Sequence, residues 1–85
     1  MYTVYILYSA ILNKFYIGYT SEAIEVRLRK HLSKHKGFTS KTKDWQVVYN
    51  EMYSLKSEAM QREKQLKNWK SHLRIQELIS RGSTE

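Results

Sequence analysis

Cysteine and proline are absent from this 85-residue chain, and only three glycines occur. Without cysteine there is no thiol nucleophile, no disulfide staple and no thiolate zinc site, and the chain is compatible with a reducing compartment. Without proline-rich or glycine-rich linkers, and without repeats, nothing divides the sequence. One small domain over residues 1–85 is expected, with residues 81–85 as a frayed tail. No apolar run is long enough to cross a bilayer, and the N-terminus has no charged-then-apolar leader. A soluble cytoplasmic protein with no membrane partner is the expectation.

Acidic residues are also scarce. Eight Asp and Glu face 15 Lys and Arg, a net charge of +7, which favours a polyanionic partner, most often nucleic acid. A solvated basic surface is the plainer reading of the same number. A membrane surface is a weaker one, because no long basic helix carries bulky apolar residues opposite its lysines. The apolar content, 41%, suffices for a compact fold.

Residues 2–9 alternate, with Tyr2, Val4, Ile6 and Tyr8 on one side and Thr3, Tyr5, Leu7 and Ser9 on the other. Residues 14–20 do the same, setting Phe15, Ile17 and Tyr19 against Tyr16, Gly18 and Thr20. A four-residue loop, Ala10–Asn13, makes these a hairpin with Tyr5 opposite Gly18 and Leu7 opposite Tyr16. Both tyrosines then share a face, whereas a one-residue slip would separate them.

A helix is expected over residues 21–36, capped by Thr20 or Ser21, with Glu22 and Glu25 in its first turn. Ile24, Leu28 and Leu32 form its apolar stripe, and Arg27 and His31 run along the edge of that stripe. A polar basic loop, Lys34–Asp44, leads to a third strand, Trp45–Tyr53. A second helix should start at Ser57 as cap and reach Trp69, with Ala59, Met60 and Leu66 covered and Glu58 and Arg62 pointing away. A third, Ser71–Arg81, carries Leu73, Ile75, Leu78 and Ile79 and stops at Gly82. The order ββαβαα describes an α+β domain, a three-stranded antiparallel sheet flanked by helices.

Glu63 falls on the apolar face of the second helix. A carboxylate there must be paired, protonated or bound to a cation, so it either pairs with Lys67 or serves a metal. Arg27 is either a structural ion-pair partner or a phosphate clamp. His31 is a proton shuttle, a phosphate donor or an ordinary half-buried histidine, while nothing in the spacing of His35 or His72 suggests ligands. Tyrosine is common in strands, and this chain has seven. Together, however, these residues form a set suited to phosphodiester hydrolysis. Glu63 could hold one Mg²⁺, Arg27 could neutralise charge on the phosphate, and a tyrosine could orient or deprotonate water. A phenol with an ordinary pKa near ~10 is only about one-thousandth ionised at pH 7, so positive charge would have to assist.

In order along the chain come TVY at 3–5, YIG at 16–18, VRLRKH with Arg27 and His31, and SEAMQREKQLKNW at 57–69 with Glu63. This set resembles the GIY-YIG nuclease superfamily. It is most similar to small single-domain proteins akin to the N-terminal nuclease module of the bacterial excision-repair incision protein. The resemblance implies a DNA endonuclease or nickase using Mg²⁺ or Mn²⁺, acting on damaged or branched DNA in repair or recombination. It implies catalytic roles for Tyr5, Tyr16, Arg27 and His31, with Tyr5 as the favoured general base, and for Glu63 as the metal ligand. Gly18 corresponds to the glycine that lets substrate or metal approach the sheet.

Lys30, Lys34, Lys36, Lys41 and Lys43 have no fixed family counterpart and are candidate DNA contacts. The sequence departs from the family pattern in three places. TVY lacks the initial Gly and Ile, the stretch between Tyr16 and Arg27 is one residue longer, and Asn68 is the candidate for an asparagine that some members carry. A monomer is favoured, with a protein partner expected for targeting. Two other functions compete: a nucleic-acid-binding module without turnover, and an accessory role in which the last helix docks a protein.

Overall fold

Strand β1 (Tyr2–Ser9) buries Val4, Tyr5, Ile6 and Leu7 to 1% exposure or less, so both of its faces are covered. A strand enclosed in this way must be central. It pairs antiparallel with β2 (Lys14–Thr20) on one side and β3 (Gln46–Tyr53) on the other. Helix α1 (Ile24–Leu32) follows β2, a 3-10 turn (Phe38–Lys41) precedes β3, and α2 (Lys56–Trp69) and α3 (His72–Gly82) come last. The α+β fold and the ββαβαα order are those expected. The computed structural model describes residues 1–33 and 37–82, with Phe38 as backbone only. Among them, no helix is long and apolar enough to cross a membrane.

Alternation along β1 sorts its side chains into two layers. Val4 and Ile6 pack with Ala59 and Leu66 of α2 and Ile75 of α3. Tyr5 and Leu7 face the other way, joining Trp45 and the Ile24, Leu28 and Leu32 stripe of α1. The hairpin register is the expected one: Ser9 pairs with Lys14, Leu7 with Tyr16 and Tyr5 with Gly18. Its loop closes through Asn13, whose left-handed φ of 52° suits asparagine better than most residues. Asp44 ties the loop down by accepting from the Ser9 hydroxyl at 2.6 Å and the Ile11 N–H at 2.9 Å. Those hydrogen bonds hold its carboxyl below the usual carboxylate range.

Simple alternation fails on β3. Ile6 faces Tyr49 but Leu7 faces Val47, so Val48 is an extra residue in a bulge. The bulge leaves Val47 with Leu7 and Trp45 while Val48 and Tyr49 both join the opposite layer.

Several boundaries differ from expectation. Thr20 remains in β2, paired with Thr3, and its hydroxyl accepts from the Glu22 N–H at 3.0 Å. Sheet pairing thus takes the residue expected as a cap, and α1 begins at Ile24 with no side-chain cap. It ends at Leu32 because Ser33 turns extended, its N–H donating to the carbonyls of Arg29 and Lys30. Residues 34–36 lie outside the described residues. Helix α2 starts one residue before the expected cap, Ser57, with Leu55 in the N-cap position. Helix α3 continues through Arg81 and Gly82, and 83–85 lie outside the described residues.

Met60 and Leu73 are 47% and 65% exposed, because a three-stranded sheet covers only a narrow stripe of each helix. Arg62, expected to point away, instead turns to β3 and donates to both oxygens of Glu51, at 2.9 and 3.0 Å. Glu51 also accepts from the hydroxyls of Tyr49 and Tyr53. A half-buried carboxylate needs that charge and those donors. Burial works to raise the Glu51 pKa, but hydrogen bonds from Arg62, Tyr49 and Tyr53 outweigh it and leave the carboxyl below its ordinary value. Burial and the carboxylate push both phenols up to about 12.

A carboxyl depressed in the folded state stabilises the fold above its unfolded pKa. That contribution is lost as pH falls through the folded value. Glu51→Gln should lower stability in urea at pH 7 by about 1.5–3 kcal/mol, the scale of hydrogen bonds to a charged group. The difference from wild type should shrink as pH drops below the ordinary glutamate range. Equal stability at pH 7 would show that the cluster contributes nothing to the fold.

Candidate functional site

The Tyr5 phenol reaches sideways across the sheet because its neighbour on β2 is Gly18. A Cβ at Gly18 would lie 2.6 Å from the Tyr5 oxygen and 2.8 Å from Cζ, closer than any side chain tolerates. The space that glycine leaves is therefore filled first by a side chain of the protein itself, and Gly18 also lines the cleft beside it. Tyr16 lies on the same face, its ring centroid 6.5 Å from that of Tyr5.

Helix α1 supplies two partners to the Tyr5 hydroxyl, one turn apart. Arg27 donates its Nε–H at 3.3 Å, and His31 Nε2 lies 2.8 Å away. Burial raises the Tyr5 pKa more than the hydrogen bond and charge of Arg27 lower it, so the phenol keeps its proton at neutral pH. With Arg27 donating to the oxygen, that proton is available for His31 Nε2. The matching tautomer places the other proton on Nδ1, which faces Thr39 Oγ1 at 2.9 Å. Thr39 is itself buried, and its carbonyl accepts from the Trp45 indole at 3.0 Å. His31, only 6% exposed, is thus fixed from both sides. The contact with Tyr5 in turn raises the Arg27 pKa.

A cleft of about 500 Å³ opens above this chain, lined by Tyr5, Tyr16, Gly18, Arg27 and Glu63. Helix α2 packs in the layer opposite Tyr5, so Glu63 reaches the cleft around the edge of β2 rather than from above the same sheet face. Its side chain is 20% exposed, and Lys67 approaches Oε2 at 3.4 Å. The two readings of Glu63 are therefore compatible: it has its lysine neighbour and it faces the cleft. Among the described residues no three His, Asp or Glu gather into a metal cage. One carboxylate at a cleft suits a hard cation that keeps its waters and takes phosphate oxygens from a substrate.

The expected DNA contacts are scattered. Lys30 is on α1 and pairs with Glu22 at 2.7 Å. Lys41 and Lys43 are exposed around the 3-10 turn, and none of these three lines the cleft. Lys34 and Lys36 lie outside the described residues. Five cleft residues escaped sequence reasoning: Tyr2, Tyr19, Thr20, Ser21 and Lys56. Lys56 had a readable signal, since it precedes Glu63 by two helical turns on the same face. A lysine in the first turn also opposes the helix dipole, which calls for another reason to be there.

A family model, the GIY-YIG catalytic domain, matches residues 1–76, a span from β1 into α3. No curated protein and no solved structure matches the chain.

Gly18→Ala should force the Tyr5 hydroxyl off its two partners, at a stability cost of about 1–3 kcal/mol for overpacking. The ¹⁵N resonances of the His31 imidazole should shift as Nε2 loses the phenol. An unchanged imidazole spectrum would mean that the glycine does not set the position of Tyr5.

Proposed function

This chain belongs to the GIY-YIG family, whose members are nucleases that generally use divalent metal ions, and from that premise we propose a DNA endonuclease or nickase dependent on Mg²⁺ or Mn²⁺. Damaged or branched DNA in repair or recombination is the proposed substrate. The observation that carries this reading is the hydrogen-bonded run from Arg27 through Tyr5 to His31, opening on the cleft that Glu63 lines.

Glu63 is the residue that would hold the cation, which when bound supplies Lewis-acid polarisation of the phosphate. Tyr5 is the general base. It takes a proton from the attacking water as its own hydroxyl proton passes to His31 Nε2, 2.8 Å away. The Thr39 contact at Nδ1 keeps Nε2 ready to accept. The water oxygen forms the new bond to phosphorus, the bond to the leaving ester oxygen breaks, and solvent protonates that oxygen. Arg27 and Lys56 counter the negative charge that grows on the phosphate in the transition state. Tyr16, half-buried where Tyr5 is enclosed, orients the water from the same face. Lys30, Lys41 and Lys43 are outer contacts to the DNA backbone.

A nicking assay over supercoiled, flapped and single-stranded DNA with each metal tests this. Tyr5→Phe and Glu63→Gln should each slow cleavage by about 10² or more, and Arg27→Ala by about 10²–10³, with circular dichroism unchanged. Intact DNA in every wild-type reaction would sink the enzyme reading. A deeper loss in Tyr16→Phe than in Tyr5→Phe would move the base to Tyr16. Because burial raises the Tyr5 pKa, the phenol keeps the proton that it relays to His31 across neutral pH, and cleavage should not rise about tenfold from pH 7 to 8 as a free-phenolate base would require.

A further inference from the structure

Next to the cleft, beyond the Glu63–Lys67 pair, lies a second groove of about 220 Å³. Its rim carries Lys14 at the start of β2, Lys67 and Lys70 at the end of α2, and His72 at the start of α3. No carboxylate is among its lining residues. The floor is apolar, with the Phe15 and His72 rings tilted together at 4.6 Å between centroids. Lysines from two separate elements, β2 and α2, meet here beside the His72 ring of α3, which a solvated basic run on one helix would not produce. Lys67 joins the two sites, since it lines the groove and reaches Glu63, which lines the cleft.

Lys70 adds an independent observation. It ends α2 with φ 49° and ψ 33°, in the left-handed region where glycine is the usual occupant. The other left-handed residue outside glycine among those described, Asn13, is of a type that tolerates the conformation. Lys70 is not, and its side chain is exposed, so packing does not explain it. The helix dipole favours a cation at this end of α2, but it does not require the left-handed residue to be the one that carries it.

The two sites are a fixed distance apart. Along β2, Gly18 and Lys14 are separated by four residues, roughly 13 Å at ~3.3 Å each. Along α2, Glu63 and Lys70 are seven residues apart, roughly 10 Å at ~1.5 Å each. A strand advances ~3.4 Å per nucleotide along the duplex axis while also winding around it, so its phosphates stand further apart than that step and both separations correspond to about two nucleotides. We infer that this groove is a second phosphate-binding subsite, holding the backbone of the bound DNA strand about two nucleotides from the bond in the cleft. This assignment rests on the nuclease reading of the cleft. It explains how a site with one carboxylate keeps a strand in register: cations at two points along the backbone fix its direction as well as its position.

The test measures affinity for a fluorescent DNA duplex in EDTA, so that binding is separated from cleavage, over a series of salt concentrations. The proteins are wild type, Lys70→Gly, the double variant Lys14→Gln/Lys70→Gly, and Lys64→Gln, which removes the same charge outside both sites. Each lost phosphate contact should weaken binding roughly tenfold at 0.1 M salt and flatten the log–log salt slope by about 0.9, so the double variant loses about 1.8. Lys64→Gln should leave the slope near that of wild type. Lys70→Gly should also melt higher than wild type, because glycine relieves the left-handed backbone.

A Lys70→Gly slope no different from that of Lys64→Gln overturns the subsite. So does a Lys70→Gly protein less stable than wild type, since the lysine would then serve the fold. Wild-type cleavage with an unchanged variant slope removes the groove alone. Absence of both binding and cleavage in the wild type removes the nuclease reading, and the groove with it.

Discussion

Because β1 and β2 pair with Tyr5 opposite Gly18, a phenol on the central strand can lie over its neighbour and present its hydroxyl to helix α1. Every other contact of the candidate site follows from that placement. Arg27 and His31 meet the hydroxyl because they stand one helical turn apart on the edge of a stripe already anchored by Ile24, Leu28 and Leu32. The register is protected from two directions. A slip of one residue would turn Tyr5 into the layer occupied by Ala59, Leu66 and Ile75 and drive Val4 and Ile6 out of it. The hairpin loop is pinned besides, by the carboxylate of Asp44.

The sheet has two helical layers but one cleft, and the edge strand is what reconciles them. Helix α1 covers the Tyr5 face and α2 the Val4 face, yet Arg27 and Glu63 line the same space. They do so because β2 is an edge strand and the cleft lies at its edge, where side chains from both layers reach it. An uncovered strand edge is ordinarily an aggregation hazard, which proteins blunt with charge. Here the cleft lies at that edge, with the charged side chains of Arg27, Lys56 and Glu63 around it.

Much of this was readable in the sequence, for physical reasons that also mark where reading stopped. Alternation in β1 and β2 sets Tyr5 opposite Gly18 if the loop has four residues; a one-residue slip was the alternative, and the pairing decides against it. The α1 stripe was equally plain. Caps were not, because Thr20 can either cap a helix or extend a strand, and pairing with Thr3 decided in favour of the strand. The Val48 bulge was invisible, since an inserted residue looks like one more β-former. Arg62 was misplaced because helical spacing gives the direction of a Cβ, whereas a long arginine can bend back to a carboxylate on another element. Lys56 was missed because Ser57 was read as the cap, which left Lys56 outside the helix and off the face of Glu63.

The electrostatics of Tyr5 set a condition on any chemistry it performs. Burial is the largest influence on its pKa and works upward, Arg27 works downward, and Glu63 adds a smaller upward push. The balance is upward, so Arg27 alone does not prepare the phenol to act as a base. His31 eases this by offering a place for the proton, which spares the site from holding a free phenolate. The remaining lever is Glu63, because its influence depends on what it carries. A bare carboxylate repels a phenolate; a dication held there would make the local charge net positive and reverse the sign of the effect. Lys67, 3.4 Å from Oε2, offsets the charge of the carboxylate without reversing it. If Glu63 holds the cation and Tyr5 is the base, as proposed, metal binding would be felt at Tyr5 through Glu63.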